Sequence, residues 1–316
     1  MNKACLAIVL FAVLPGLMAQ NANAIFGSGY TGPYVPGVVP GDVITLFVEP
    51  LNVPDAVASQ TPLPTSLSGV SVAIRAAGSN VVDMTGYPTS VPIFRVHSVN
   101  NSSIIPNTAI TVQIPTDMVS VSSEGKVLSG YPPYVVLNVH TNGVSGPDFA
   151  VQVNGEAPHL LNSCDTIFGG VGPILSGSGC NPVITHADGT AVSYTSRAKV
   201  GETVVMYALG LVGGPLPPTG LAPTGPLPLP PIEGQTYFTY ILDPPPQSSL
   251  ESLTARYLLS PVYVGAVQGY VGLFQINITI PAMPAQTHVC QNTADANATL
   301  QEPGAPNESS RICVTP

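Results

Sequence analysis

The segment from 261 to 281 constrains the fold of this chain more than any other. Two β-type runs flank the turn Gly269-Tyr270-Val271-Gly272, and Pro281 stops the second run. Apolar residues alternate with polar ones in that second run, which is typical of a strand with one buried face. The segment therefore predicts an all-β protein, and a weaker copy of it lies upstream.

The composition supports short strands joined by rigid turns. Hydrophobic residues make up 45% of the chain and charged residues 8%, and there are 35 prolines and 31 glycines. A disordered chain would need lower hydrophobicity and more charge. Proline and glycine interrupt most stretches of helical length, so little helix is expected.

Strand-like runs with period-two alternation recur along the first half, separated by turn residues. They are Val43–Val48, Val70–Ile74, Ile93–His97, Ile110–Ile114, Tyr134–His140 and Phe149–Val153. This pattern is typical of a β-sandwich.

The same order of runs returns in the second half. Gly41–Phe47 corresponds to Gly201–Tyr207, Pro92–Val96 to Pro261–Gly265, and Ile110–Pro115 to Ile276–Pro281. The offset stays at about 160 to 170 residues, which indicates a tandem duplication and not a short-period solenoid. On this alignment the closing strands of the second copy are 287–292 and 311–316, which places Cys290 and Cys313 on paired strands.

These runs predict the following organisation: a signal peptide at 1–24, an N-terminal linker at 25–38, one β-sandwich domain at 39–156 and a second at 157–316. A proline-rich stretch at 214–235 is interpreted as a surface loop of polyproline type. A role as a PxxP ligand is the alternative.

The N-terminus has the features of a secretory signal peptide. Lys3 provides a positive charge, Ala4–Met18 is apolar, and Ala22-Asn23-Ala24 fits a cleavage site. Cleavage after Ala19 is the alternative. No later run has the roughly 20 apolar residues of a membrane span, so we expect an exported chain that is secreted, periplasmic or extracellular and does not span a membrane.

Removal of the signal peptide leaves Cys164, Cys180, Cys290 and Cys313. An even number of cysteines in an exported chain favours disulfides, and four cysteines allow three connectivities. The prediction is sequence-local pairing, Cys164–Cys180 and Cys290–Cys313, each worth about 3 kcal/mol in the chain-entropy model. A zinc site is the competing interpretation, but no C-x-x-C or paired histidines accompany these residues.

Several motifs resemble those of a known family. They are Pro40–Phe47, Pro62–Val72, His186–Thr190, Val200–Leu211, Pro217–Gly220 and Gly269–Asn277. In that order they resemble the uncharacterised acidobacterial (Solibacter-type) C-terminal domain family of secreted bacterial proteins, over roughly residues 39 to 281. The resemblance implies export and tandem immunoglobulin-like modules. The family has no established activity, so it implies no catalytic residues.

Charge and motifs exclude several function classes. Seventeen acidic residues against eight basic ones, without a basic stripe, make nucleic acid a poor partner. No nucleophile elbow, phosphate-binding loop, dinucleotide fingerprint or histidine pair at metal-ligand spacing is present. Asp188-Gly189 is interpreted as a hairpin turn in preference to a calcium site. We therefore expect no catalytic residue, no cofactor and no metal site.

Histidines and tyrosines remain as candidates for binding. His97 and His140 are expected at strand ends, solvated or locally hydrogen-bonded. Tyrosines in Gly/Pro-rich contexts could stack on sugar rings, with sandwich packing as the default interpretation. These candidate ligand contacts are Tyr30, Tyr34, Tyr131 and Tyr134.

The sequence therefore favours a non-enzymatic exported module that acts in adhesion or as a scaffold, with a cell-surface or matrix protein or a glycan as its partner. A carbohydrate- or polymer-binding module is the alternative. A hydrolase with a site between the two domains is the third hypothesis.

Overall fold

The structure, a computed structural model, describes residues 23–33, 37–77, 90–99, 107–118, 120–121, 127–128, 131–155, 157–168, 180–212, 214–229, 238–242, 256–282, 288–292, 296–301 and 309–315. These residues form strands, turns and one 3-10 turn at Thr166–Phe168, with no α-helix among them. The all-β prediction is confirmed. Residues 1–22, which hold most of the predicted signal peptide, lie outside the described part.

Among the described residues, twelve strands precede residue 153. They are β1 (Ile25–Gly29), β2 (Val43–Val48), β3 (Ala56–Val57), β4 (Ser66–Leu67), β5 (Val70–Ala77), β6 (Ile93–Val99), β7 (Asn107–Gln113), β8 (Ser120–Val121), β9 (Val127–Leu128), β10 (Tyr134–Thr141), β11 (Val144–Ser145) and β12 (Phe149–Gln152).

Twelve further strands follow in the second half. They are β13 (His159–Leu160), β14 (Ile184–Thr185), β15 (Ala198–Lys199), β16 (Thr203–Leu209), β17 (Leu227–Pro228), β18 (Phe238–Leu242), β19 (Arg256–Leu259), β20 (Tyr263–Ala266), β21 (Phe274–Thr279), β22 (Ala298–Gln301), β23 (Ser309–Ile312) and β24 (Val314–Thr315).

Two antiparallel sheets of the N-terminal half enclose one apolar core. Their strand orders are β1-β2-β7-β6-β3 and β11-β10-β5-β4, with β12 also pairing with β10. Side chains at alternate positions of a strand point to one face, and on β5 the residues Val70, Val72, Ile74 and Ala76 all enter the core. The alternation in the sequence thus determines which face of β5 packs against the core.

The C-terminal half repeats this arrangement around a second core. One sheet has the order β13-β16-β21-β20-β17 with β14 on β16, and another has the order β19-β18-β22-β23. A parallel pair, β15 with β24, completes the set. The chain passes from the first group of sheets to the second between Gln152 and His159.

The first sheet of each half has the same strand order, and aligned residues of the two halves pair in the same register. Val43 pairs with Gln113, and the aligned residues Thr203 and Thr279 pair in the same way. The parallel bridge between Val38 and Val153 likewise has its counterpart in the pairing of β15 with β24. The sequence alignment of the two halves therefore corresponds to matching backbone pairings.

Three segments differ in part from what the sequence predicts. The expected linker at 25–38 contributes β1, whose Ile25 lies in the N-terminal core. The described residues 288–292 form no strand, and β22 pairs with β23 instead. The proline-rich loop is not simply a surface loop, because Leu227–Pro228 pairs with β20 and the Gly220 carbonyl accepts a hydrogen bond from the Leu63 amide at 2.9 Å.

Both predicted disulfides are present in the structure. The Cα atoms are 5.3 Å apart in Cys164–Cys180 and 5.7 Å apart in Cys290–Cys313, within the usual range for such bonds. Cys290 lies outside the strands and is buried beside Cys313, so the pairing was predicted correctly although its terminal-strand reason was wrong. Such disulfides are typical of proteins outside the reducing cytoplasm.

The turn at 269–272 provides a test of the second core. Phe274 is 2% exposed, whereas Tyr270 is 61% exposed, so the expectation that either Leu273 or Phe274 is buried in the core is confirmed for Phe274. Phe274→Ala should lower the free energy of unfolding by about 3–5 kcal/mol through lost burial and the cavity it leaves. Urea unfolding measures this change.

Tyr270→Ala is the matched control, since it removes an exposed ring from the same turn and should change stability by less than about 0.5 kcal/mol. Equal loss in both variants would contradict the packing described here.

Candidate functional site

An apolar cluster joins the N-terminal sheets to the C-terminal sheets; we call it, with the polar groups beside it, the junction. Its buried members are Val43 from β2, Leu209 from β16, and Leu161, which follows β13. Leu273 packs against them, and a Cβ added to the preceding Gly272 would clash with Cγ2 of Val43. The 269–272 turn can therefore pack this closely against β2 only because residue 272 has no side chain.

A stack of two rings forms the polar part of the junction. The Tyr30 ring lies on the His159 imidazole with centroids 3.9 Å apart and planes 3° apart. His159 Nε2 lies 3.0 Å from both carboxylate oxygens of Asp165. Because an ionised carboxylate only accepts hydrogen bonds, Nε2 carries the proton in this pair. Asp165 also accepts a hydrogen bond from the Asn162 amide at 2.8 Å.

Thr166 extends the network into the first sheet. Its amide donates to the Tyr30 carbonyl at 2.9 Å, and its hydroxyl lies 2.6 Å from that carbonyl and 2.6 Å from Thr45 Oγ1. Thr45 in turn lies 2.9 Å from Thr111 Oγ1. This chain of buried hydroxyls connects the 3-10 turn with β2 and β7.

Asp42 is a buried carboxyl at the same place. The Tyr30 hydroxyl donates to its Oδ2 at 3.0 Å. Burial raises the pKa of Asp42 to about 7, although the Tyr30 hydrogen bond, the Val43 amide and the charge of His159 each lower it. Asp42 thus carries a proton for much of the time near neutral pH.

The junction combines residue types that are used in catalysis, and these side chains are buried. His159, Asp165 and Thr166 are all buried, and none of them lines a described depression. Most polar groups of the junction are hydrogen-bonded to one another, which favours one packed arrangement. Asp42 Oδ1 is buried and has no hydrogen-bond partner among the described residues.

An open depression of about 1220 Å³ on the C-terminal half contains the other histidine–carboxylate pair. His186 Nδ1 lies 2.5 Å from Glu202 Oε1, and its Nε2 lies 3.1 Å from Ser196 Oγ. The hydrogen bond with Glu202 raises the pKa of His186. The Lys199 amide donates to Glu202 Oε2 at 2.8 Å. We call this surface the His186 depression.

The four candidate tyrosines have different environments. Tyr30 is half-buried in the junction and is no exposed platform, because β1 carries it between the two halves. Tyr34 lies outside the described residues. Tyr131 and Tyr134 are 50% and 46% exposed. Tyr131 lines a depression of about 320 Å³ with Thr116, Asp117, Leu216 and Pro218 among its other walls.

Two smaller predictions have opposite outcomes. His97 lies within β6 and is buried, so the expectation of a solvated strand end was wrong; burial lowers its pKa. Asp188-Gly189 does form a turn, since the His186 amide donates to the Thr190 carbonyl at 2.8 Å. The Asp188 carboxylate accepts from the Thr190 amide at 2.9 Å.

No group of three or more His, Cys, Asp or Glu side chains that could hold a metal ion occurs among the described residues. Within the same part of the chain, no helix has the length and hydropathy needed to cross a bilayer.

Comparison with known proteins adds no relative. The chain matches no family model, and no curated protein is significantly similar to it. The acidobacterial resemblance therefore stays a prediction.

The raised pKa of Asp42 predicts how stability depends on pH. In the unfolded chain this carboxyl titrates near its ordinary pKa of 3.8, whereas in the folded protein it titrates at about 7. The folded protein therefore binds the extra proton between these values, and stability falls as pH rises through this range. Asp42→Asn should remove this loss, which is on the order of a few kcal/mol. Urea unfolding at a series of pH values measures it.

The control is Asp188→Asn. The Asp188 carboxyl is exposed, and hydrogen bonds from Thr190 lower its pKa, so this variant should keep the pH slope of the native protein. If Asp42→Asn showed that same slope, the buried carboxyl could not be its source.

Proposed function

We propose that the chain is a non-enzymatic exported interaction module built from two tandem immunoglobulin-like β-sandwiches, 39–156 with β1 and 157–316. The matching strand order and register of the two halves support the tandem assignment. The observation that carries the functional proposal is the burial of the junction network. The His159–Asp165 pair, which has the chemistry of a hydrolase site, is buried, and the His159 ring stacks on Tyr30 of the other half.

A fixed junction suits a scaffold role. Contacts between domains of one chain usually allow relative motion unless the interface is large and apolar. Here an apolar cluster, a ring stack and buried hydroxyls act together. Partners on a cell surface or in a matrix would therefore meet exposed faces held at a fixed distance and angle.

Export and processing belong to the same proposal. The two disulfides support maturation in an oxidising compartment. Asn23 is buried, and its Nδ2 donates to the Val144 carbonyl at 2.9 Å. Cleavage after Ala24 would remove this contact, so the structure favours the alternative cleavage after Ala19, and N-terminal sequencing of the exported protein distinguishes the two.

The test compares activity and retention. Mature protein should remain on washed cells or matrix of the producing organism in a saturable manner, and a broad hydrolase panel should detect no turnover. Asp165→Asn keeps the shape of the side chain and leaves an oxygen to accept from His159. Turnover by the native protein that Asp165→Asn abolishes at an unchanged melting temperature would contradict the proposal and support the hydrolase hypothesis.

A specific observation favours saccharide binding as a second candidate function. Tyr131 presents an exposed ring beside Asp117 in a depression that both halves line. An exposed aromatic face next to hydrogen-bonding groups suits a sugar ring. Tyr131→Ala should weaken binding in a glycan screen if this depression is the site, and Tyr134→Ala should not.

A further inference from the structure

The His186 depression and the buried junction lie at equivalent positions of the two aligned halves. Glu202 stands where Asp42 stands in the aligned half: each follows a glycine with positive φ, Gly41 at 82° and Gly201 at 80°. Asp42 is covered by Tyr30 and the second half, but a Cβ added to Gly201 would have no described atom within 4 Å. The polar surface beside the acidic residue is therefore exposed in the second half, whereas the equivalent surface is buried in the first half.

The lining of this depression is rich in hydroxyl groups and charge. Its walls include the hydroxyl side chains Thr190, Thr195, Ser196 and Thr315, and the cations Arg197 and Lys199. Tyr194 also lines it and is 43% exposed. Hydroxyls, charged groups and one aromatic face are suited to a polyhydroxylated ligand more than to an apolar one.

Several cations lie near Tyr194 although the protein is acidic. The whole chain has 8 basic residues and a net charge of −9. Arg197 and Lys199 line the His186 depression, and Arg311 lines an adjoining one that Tyr194 also borders. Tyr194 thus borders two depressions, each of which contains at least one cation.

The carboxylates of the depression are already engaged by neighbours. Glu202 is held by His186 and by the Lys199 amide, and hydrogen bonds from Thr190 hold Asp188. By contrast, the Lys199 ammonium makes no ion pair with any described residue. Both carboxylates keep their negative charge, so a ligand meets charges of both signs here, and the Lys199 ammonium is a cation that no described carboxylate pairs.

We propose that the surface centred on Tyr194 binds a carboxylate-bearing polysaccharide, one that contains uronic acid units. The Tyr194 ring would stack on the apolar face of a sugar. Arg197, which donates one hydrogen bond to the Cys290 carbonyl at 2.7 Å, and Arg311 carry planar guanidinium groups of the kind that matches carboxylates, and Lys199 adds a point charge. The inference rests on the proposed interaction role and names the chemical class of its partner.

The experiment measures affinity of the mature chain for oligogalacturonate by calorimetry, with neutral dextran and dextran sulfate as comparison ligands. Saturable binding to the uronate, weaker binding to the other two and a decline with added salt are expected. Tyr194→Ala should weaken binding about tenfold or more, which corresponds to about 1.4 kcal/mol. Lys199→Gln and Arg311→Gln should weaken binding and reduce its dependence on salt.

Matched controls lie on the other half of the molecule. Tyr134→Ala removes a ring of similar exposure, and Arg75→Gln removes an exposed guanidinium that pairs with Asp148. Both should bind like the native protein. Melting curves show that each variant is folded.

Several results would overturn the inference. They are absence of uronate binding, equal or tighter binding to dextran sulfate, and native affinity in Tyr194→Ala. Loss of binding in Tyr131→Ala alone would move the site to the other depression. Self-association that depends on Lys199, without glycan binding, would show that the surface takes a second copy of the chain. If the protein does not bind uronate but is still retained on cells, the polysaccharide inference is rejected and the proposed interaction role is not.

Discussion

The flat contact between Tyr30 and His159 is the interaction on which the arrangement of the two halves depends. Tyr30 comes from the end of β1 and His159 begins the first strand of the other half. Asp165 orients the imidazole through both carboxylate oxygens. Burying such polar groups costs free energy unless each is hydrogen-bonded. The shared bonds and the apolar cluster beside them offset that cost only while the two halves stay in contact.

The same turn of a glycine followed by an acidic residue lies in different environments in the two halves. A positive-φ glycine followed by an acidic residue places Asp42 inside the junction and Glu202 at an open surface. The buried acid has its pKa raised by desolvation, whereas the hydrogen bond with His186 helps to keep the pKa of Glu202 low despite partial burial. Duplication of one module can therefore supply a joint in one copy and a binding surface in the other.

The sequence predicts the strands well because their signal is local. A run of apolar residues predicts β2 with its observed bounds. Alternation predicts the start of β5 at Val70, although the strand continues three residues beyond the predicted Ile74. Short loops between cysteines favour the observed disulfides. Strand β1 escapes prediction because its Ile-Phe-Gly-Ser-Gly run has no alternation. The junction escapes it too, since Tyr30 and Thr166 meet across 136 positions. The alignment of Asp42 with Glu202 was the one available signal that this position matters.

Hydrogen exchange followed by mass spectrometry tests the central claim most directly, because it reports the free energy of opening for separate strands. The account predicts that β2 and β16, which meet through Val43 and Leu209, open with free energies within about 1 kcal/mol of each other. It also predicts that Asp165→Asn lowers both values together. If β16 exchanged through an opening of lower free energy while β2 stayed protected, the two halves would open independently. That result would contradict the account.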